Sequence, residues 1–153
     1  MHSNYKAIFG AALVVGALVV FLGAVAPSEA ANGSLPDAVV RGLDALRLYG
    51  PEAAMTAWMR DSPIAGSQAV LEQTTALKGA VAPYGNGLGY QLIHTKTLTP
   101  RTGLYYLSLE FERGPVFCRL LAYQSKSASV VVGIAFDTDP TKLLPQELLS
   151  QQE

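Results

Sequence analysis

The chain has 153 residues, half of them hydrophobic, and a formal net charge of −1. That balance lacks the basic footprint of a nucleic-acid binder, and the Lys and Arg residues after residue 30 are too scattered to form a polybasic lipid patch. Cys118 is the only cysteine, so the chain has no internal disulfide, and this residue reads as a small buried hydrophobe.

The N-terminus carries an address. Lys6 is followed by an unbroken apolar run, Ala7 to Ala26, and then by Pro27-Ser28-Glu29-Ala30. A basic start, an apolar centre and a small-x-small site are the layout of a secretory signal, with the cut expected before Ala31. As a helix, the run would also span about 30 Å, enough to cross a bilayer. Residues 1–30 are therefore read as a signal peptide or as an uncleaved N-terminal anchor in the inner membrane. Both place the rest outside the cytoplasm, periplasmic or extracellular, with membrane contact only through residues 7–26 if the segment is retained. No Cys stands at the end of the run, which excludes a lipoprotein anchor.

Residues 31–36 read as a linker and residues 37–145 as a single domain, one core's worth of chain. Ser34 is placed to cap a helix that has Pro36 and Asp37 in its first turn and Val39, Leu43 and Leu46 on one face. Tyr49-Gly50-Pro51 ends it and starts a second helix to about Arg60, which presents Ala54, Met55, Trp58 and Met59. Trp58 and the two methionines read as core. Asp61-Ser62-Pro63 breaks that helix. A third, over about 67–81, aligns Val70, Leu71, Thr74, Leu77 and Val81. Tyr84-Gly85-Asn86-Gly87 is a turn cluster.

From Leu88 the period changes from near four to two. The expected strands are Leu88–Leu98, Gly103–Glu112, Pro115–Gln124 and Val130–Asp137, joined by short breaks and hence antiparallel. A turn at Arg113-Gly114 sets Tyr105, Leu107, Leu109 and Phe111 opposite Ala122, Leu120, Cys118 and Val116. It leaves Tyr106, Ser108, Glu110 and Glu112 on the other face, opposite Leu121, Arg119, Phe117 and Pro115. Val130, Val132, Ile134 and Phe136 continue the apolar side. Residues 146–153 read as a tail. The fold class is α+β, with N-terminal helices packed on a four-stranded, curved antiparallel sheet.

This order of elements is similar to the cystatin-like and NTF2-like domains. Tyr49-Gly50-Pro51-Glu52-Ala53-Ala54, Trp58, Ser62-Pro63, Gly66-Ser67, Tyr84-Gly85, Gly89-Tyr90, the stretch Tyr105–Tyr123 around Phe111-Glu112-Arg113-Gly114-Pro115-Val116-Phe117, and Phe136-Asp137-Thr138-Asp139-Pro140 sharpen the likeness. Over roughly 45–145 they resemble an uncharacterised family of small exported bacterial proteins. The resemblance implies a fold and a compartment and carries over no catalytic residues. Relatives often show Gly-Trp before the last strand, where this chain has Ala128-Ser129.

The polar face of the sheet is the expected ligand site. The assumed register sets Arg119 opposite Ser108, with Glu110 and Asp137 diagonal to it and Tyr106 nearby. A guanidinium there suits an anion or carboxylate, although alternating charges are also what a solvated strand face shows. His94 is expected on the core side near Leu107, where an imidazole serves as a pocket base or as a hydrogen-bonded core residue. One His and one Cys after residue 30 make no zinc set. Gly85–Gly89 precedes a strand and so fails the context of a phosphate loop. No metal, cofactor or catalytic residue is assigned. The expected function is an exported, non-enzymatic envelope module that binds a small ligand or a protein partner. The competing readings are a small NTF2-like isomerase or hydrolase with an acid/base pocket, and a membrane-anchored assembly accessory.

Overall fold

A computed structural model describes residues 34–150, and the expectations for residues 1–33 lie outside the described residues. The period-four segments form α1 (Asp37–Tyr49), α2 (Pro51–Trp58) and α3 (Gln68–Val81). The period-two segments form β1 (Gly87–Thr99), β2 (Thr102–Phe111), β3 (Gly114–Gln124) and β4 (Ser129–Asp137). A 3-10 turn at Pro140–Lys142 and a short α4 (Gln146–Leu149) follow. The fold is α+β: helices first, then an open antiparallel meander in the order β1-β2-β3-β4.

The helices cover one face of the sheet. Val39, Leu43 and Leu46 of α1, Met55 and Trp58 of α2, and Val70, Leu77 and Val81 of α3 are buried against Leu107, Leu109, Val116, Cys118, Leu120 and Phe136. Gly50 ends α1 with φ 87°, a conformation a side chain disfavours, and Pro51 then starts α2. Ser67 caps α3 by accepting from Val70 N at 3.4 Å. Leu71, expected in the buried stripe of α3, is 55% exposed. Adjacent residues are about 100° apart around a helix, and Val70 takes the inward position beside Leu71.

Ser34 does not cap α1. The helix starts after Pro36 with no side-chain cap of its own. Ser129 of β4 instead accepts from Ala38 N at 3.1 Å, which ties the sheet to the first helix. β4 lies at one edge of the sheet, and side chains of the helical layer engage two of its backbone groups. Ser62 Oγ donates to Val131 O at 2.5 Å, and Gln73 Oε1 accepts from Phe136 N at 3.3 Å. Edge groups satisfied this way cannot template another strand.

Three details of register differ from the sequence expectation. The β2–β3 turn is Glu112-Arg113, with Phe111 opposite Gly114. The turn sits there because the α3–β1 connection holds it: Arg113 N donates to Tyr84 O at 3.0 Å and Glu112 N to Asn86 O at 3.2 Å, while Asn86 Nδ2 donates to Glu112 Oε1 at 2.9 Å. Each β2 residue gains a partner two positions away from the expected one, so every side chain keeps its face. A second difference is in β4, where Val132 bulges between the pairs Leu121–Gly133 and Ala122–Val131. The fully buried residue is therefore Val131, with Val130 and Val132 only half-buried. The third is in β1, where Leu98 drops out of the ladder between Thr97 and Thr99. That bulge moves His94 from opposite Leu107 to opposite Tyr106, onto the other face.

Cys118 stands in a core row, paired with Leu107 on one side and Phe136 on the other, and is fully buried. Burial pushes its thiol well above the ordinary value. Native protein is expected to resist a thiol reagent until denaturant is added, and fast labelling would refute the packing. A raised folded-state pKa means the neutral thiol's contribution to stability is full below the unfolded pKa of about 8.5 and falls as pH rises past it. Cys118→Ala should remove that share of the alkaline loss, as read by urea unfolding across pH 7–10.

Candidate functional site

The face opposite the helices is built by alternation. Along β2, Leu104, Tyr106, Ser108 and Glu110 point away from the core, because Leu107 and Leu109 point into it. Their partners on β3 are Leu121, Arg119, Phe117 and Pro115. Gly133, Ala135 and Asp137 of β4 stand opposite Leu121, Arg119 and Phe117. Lys96 and His94 of β1 stand opposite Leu104 and Tyr106. The face is thus a grid of transverse rows.

The middle row is His94, Tyr106, Arg119, Ala135. The rings of His94 and Tyr106 lie 6.3 Å apart, centroid to centroid, at 37°. Tyr106 is only 4% exposed although it lies outside the core cluster beneath the helices, while Arg119 itself is exposed.

The expected cluster of Arg119, Glu110, Asp137 and Tyr106 is only partly brought together, and His94, expected on the core side, joins it instead. Tyr106, Arg119 and His94 share the row. Glu110 pairs with Pro115, four positions along β3 from Arg119, a distance of about 13 Å along the strand. It does not face Arg119; its Oε1 accepts from Ser108 Oγ at 2.5 Å. Asp137 is diagonal to Arg119 in the register, but its carboxylate is occupied elsewhere. Asp139 N donates to Oδ1 at 2.9 Å, and Lys142 Nζ lies 3.3 Å from Oδ2. The Asp139 amide, and then Lys142, hold the Asp137 carboxyl below its usual value. Among the described residues Arg119 forms no ion pair.

A groove of about 370 Å³ opens beside the middle row. Leu98, Leu104, Leu121, Gly133 and Ile134 line it, and Arg119 is its one charged wall. Sequence reading did not find this groove. The bulge residue Leu98 completes it, and no local signal marks a bulge. Its volume is within the range of small-molecule sites. A smaller cavity of about 150 Å³ lies at the end of the sheet among Thr97, Arg101, Tyr105 and Gln124, below that range. Partial burial raises the Tyr105 phenol above its usual value. A shallower cleft lies between α3 and the end of β4, where Asp137 is already paired. Among the described residues no group of three or more His, Cys, Asp or Glu could hold a metal ion, and no helix is long and apolar enough to cross a membrane.

Comparison with known proteins finds no matching family model, curated protein or solved structure.

Proposed function

We propose that the chain is an exported, non-enzymatic binding module whose small ligand seats on the open face of the sheet. The observation that carries this is Arg119: a guanidinium in mid-sheet, without an acidic partner among the described residues, forming one wall of an apolar groove. An opposite charge across the ladder would stabilise an arginine on a strand face. This one stands opposite Tyr106 and Ala135. Binding is favoured over catalysis because acid–base chemistry requires convergent titratable groups. Here Glu110 is bonded to Ser108, Asp137 to Lys142 and the Asp139 amide, and His94 lies exposed beside Tyr106. The cystatin-like or NTF2-like assignment, and kinship with small exported bacterial proteins, belong to the same proposal. They are supported by the helices-then-meander order and by the residues quoted above.

Export rests on Lys6, the run Ala7–Ala26 and Ser28-Glu29-Ala30. A reporter that works only outside the cytoplasm, fused after Glu153, should be active. Activity of a cytoplasm-only reporter would refute delivery across the membrane.

The site is tested by a thermal-shift screen of small organic compounds on the full chain and on Leu121→Trp, which fills the groove. A compound that raises the melting temperature of the parent but not of Leu121→Trp supports the site. If every stabilising compound acts equally on both, the proposal fails. Arg119→Ala is the control for a purely structural role. With an exposed side chain and no ion pair to lose, it is expected to change stability by at most about 1 kcal/mol in urea unfolding. A loss above about 2 kcal/mol would mean a buried polar cluster instead.

A further inference from the structure

No Asp or Glu lies between Glu72 and Glu110. β1 and most of β2 therefore bring only basic groups to the open face: Lys96 beside Leu104 and His94 beside Tyr106. Arg119 joins them from β3. The two carboxylates on the face are engaged, Glu110 with Ser108 and Asp137 with Lys142. Lys96 and Arg119, neither in an ion pair among the described residues, thus flank the groove, and the groove itself is apolar. Gly133 keeps its floor low: a Cβ there would stand 3.2 Å from Leu121 Cβ and crowd the space.

We infer that this groove takes a free single-chain amphiphile headed by a carboxylate, with the chain on Leu98, Leu104 and Leu121 and the head on Arg119. This rests on the proposal that the open face is the ligand site. The planar guanidinium matches a carboxylate through two parallel hydrogen bonds. A single arginine wall fits one negative charge. The volume, near the lower end of ligand pockets, fits one chain rather than the two of a bilayer lipid. Burying the chain supplies the affinity through apolar area, and Arg119 sets the orientation.

The test is competitive displacement of a dansyl-labelled undecanoic acid from the full chain. The competitors are dodecanoate, 1-dodecanol, hexanoate and phosphatidylglycerol vesicles. Dodecanoate should displace the probe with one site per chain. Dodecanol lacks the charge and hexanoate half of the chain, and each should compete at least about tenfold more weakly. Arg119→Gln should weaken dodecanoate by about ten- to a hundredfold and leave dodecanol unchanged. Leu121→Glu should weaken both dodecanoate and dodecanol. Arg119 is exposed and Leu121 half-buried, and melting curves check that the variants stay folded; Lys96→Gln, also exposed, is a further probe of the charge. Equal competition by dodecanoate and dodecanol, or dodecanoate binding that ignores both Arg119→Gln and Leu121→Glu, would overturn the inference. So would binding to vesicles alone. If a non-amphiphilic compound binds in a Leu121-dependent way while dodecanoate does not, the inference fails and the open-face proposal stands. If no bound compound responds to Leu121, both fail.

Discussion

Trp58→Ala is expected to lower the unfolding free energy by about 3–5 kcal/mol, the range for removing a buried large aromatic. Trp58 is fully buried and joins three elements. Its Nε1 donates to Val39 O at 3.0 Å, across from α2 to α1. Its ring lies 5.7 Å from the Phe136 ring of β4, centroid to centroid. Truncation leaves a cavity at the junction of two helices and a strand. It also removes a donor from a buried carbonyl. Trp58→Phe keeps most of the volume and loses the hydrogen bond, so it should cost less, about 1–3 kcal/mol. Urea unfolding of the three proteins decides the matter. Equal stability of Trp58→Ala and the parent would show that the residue is not the keystone the packing makes it.

Gly42→Ala is expected to be nearly as damaging, although it adds one carbon. Gly42 lies on the buried face of α1, and a Cβ built there would overlap the Trp58 indole at Nε1, Cδ1 and Cε2. Alanine normally improves a helix interior by roughly 0.5–1 kcal/mol over glycine. Here the sign reverses, because α1 and α2 must move apart to admit the methyl. Overpacking of this kind costs typically about 1–3 kcal/mol, occasionally more. The check is a double-mutant cycle. In Gly42→Ala/Trp58→Leu, the smaller side chain makes room for the methyl, so the pair should lose clearly less than the sum of its singles. Strict additivity would show that the two residues do not touch.

Much of this fold was legible because burial writes a period into the chain. Val39, Leu43 and Leu46 recur at helical spacing, whereas Leu107, Leu109 and Phe111 alternate with Tyr106, Ser108 and Glu110, and each pattern has one low-energy backbone. Gly50-Pro51 punctuates the helices because one residue tolerates positive φ and the next has its φ already set. The candidate site was less legible. Arg119 and Tyr106 could be placed on the outward face from parity alone. Their neighbours depend on register, which a turn one residue away and a single bulge change without altering the alternation. Glu110 left the expected cluster for the first reason and His94 entered its row for the second.

The sequence by itself determined the element types, their order, the inward and outward sets of β2 and β3, and the burial of Cys118 and Trp58. All of these follow from local preference and the removal of apolar surface from water, which act residue by residue. Only the tertiary structure decided what stands beside what. Tyr84 and Asn86 hold the Glu112-Arg113 turn, Ser129 serves the start of α1 from 91 residues away, and Ser62 and Gln73 each bond a backbone group of the β4 edge. Leu98, displaced from the ladder, completes the groove next to Arg119. These are pairings of groups far apart in the chain, chosen because each buried donor and acceptor must find a partner, and no local stretch of sequence contains that information.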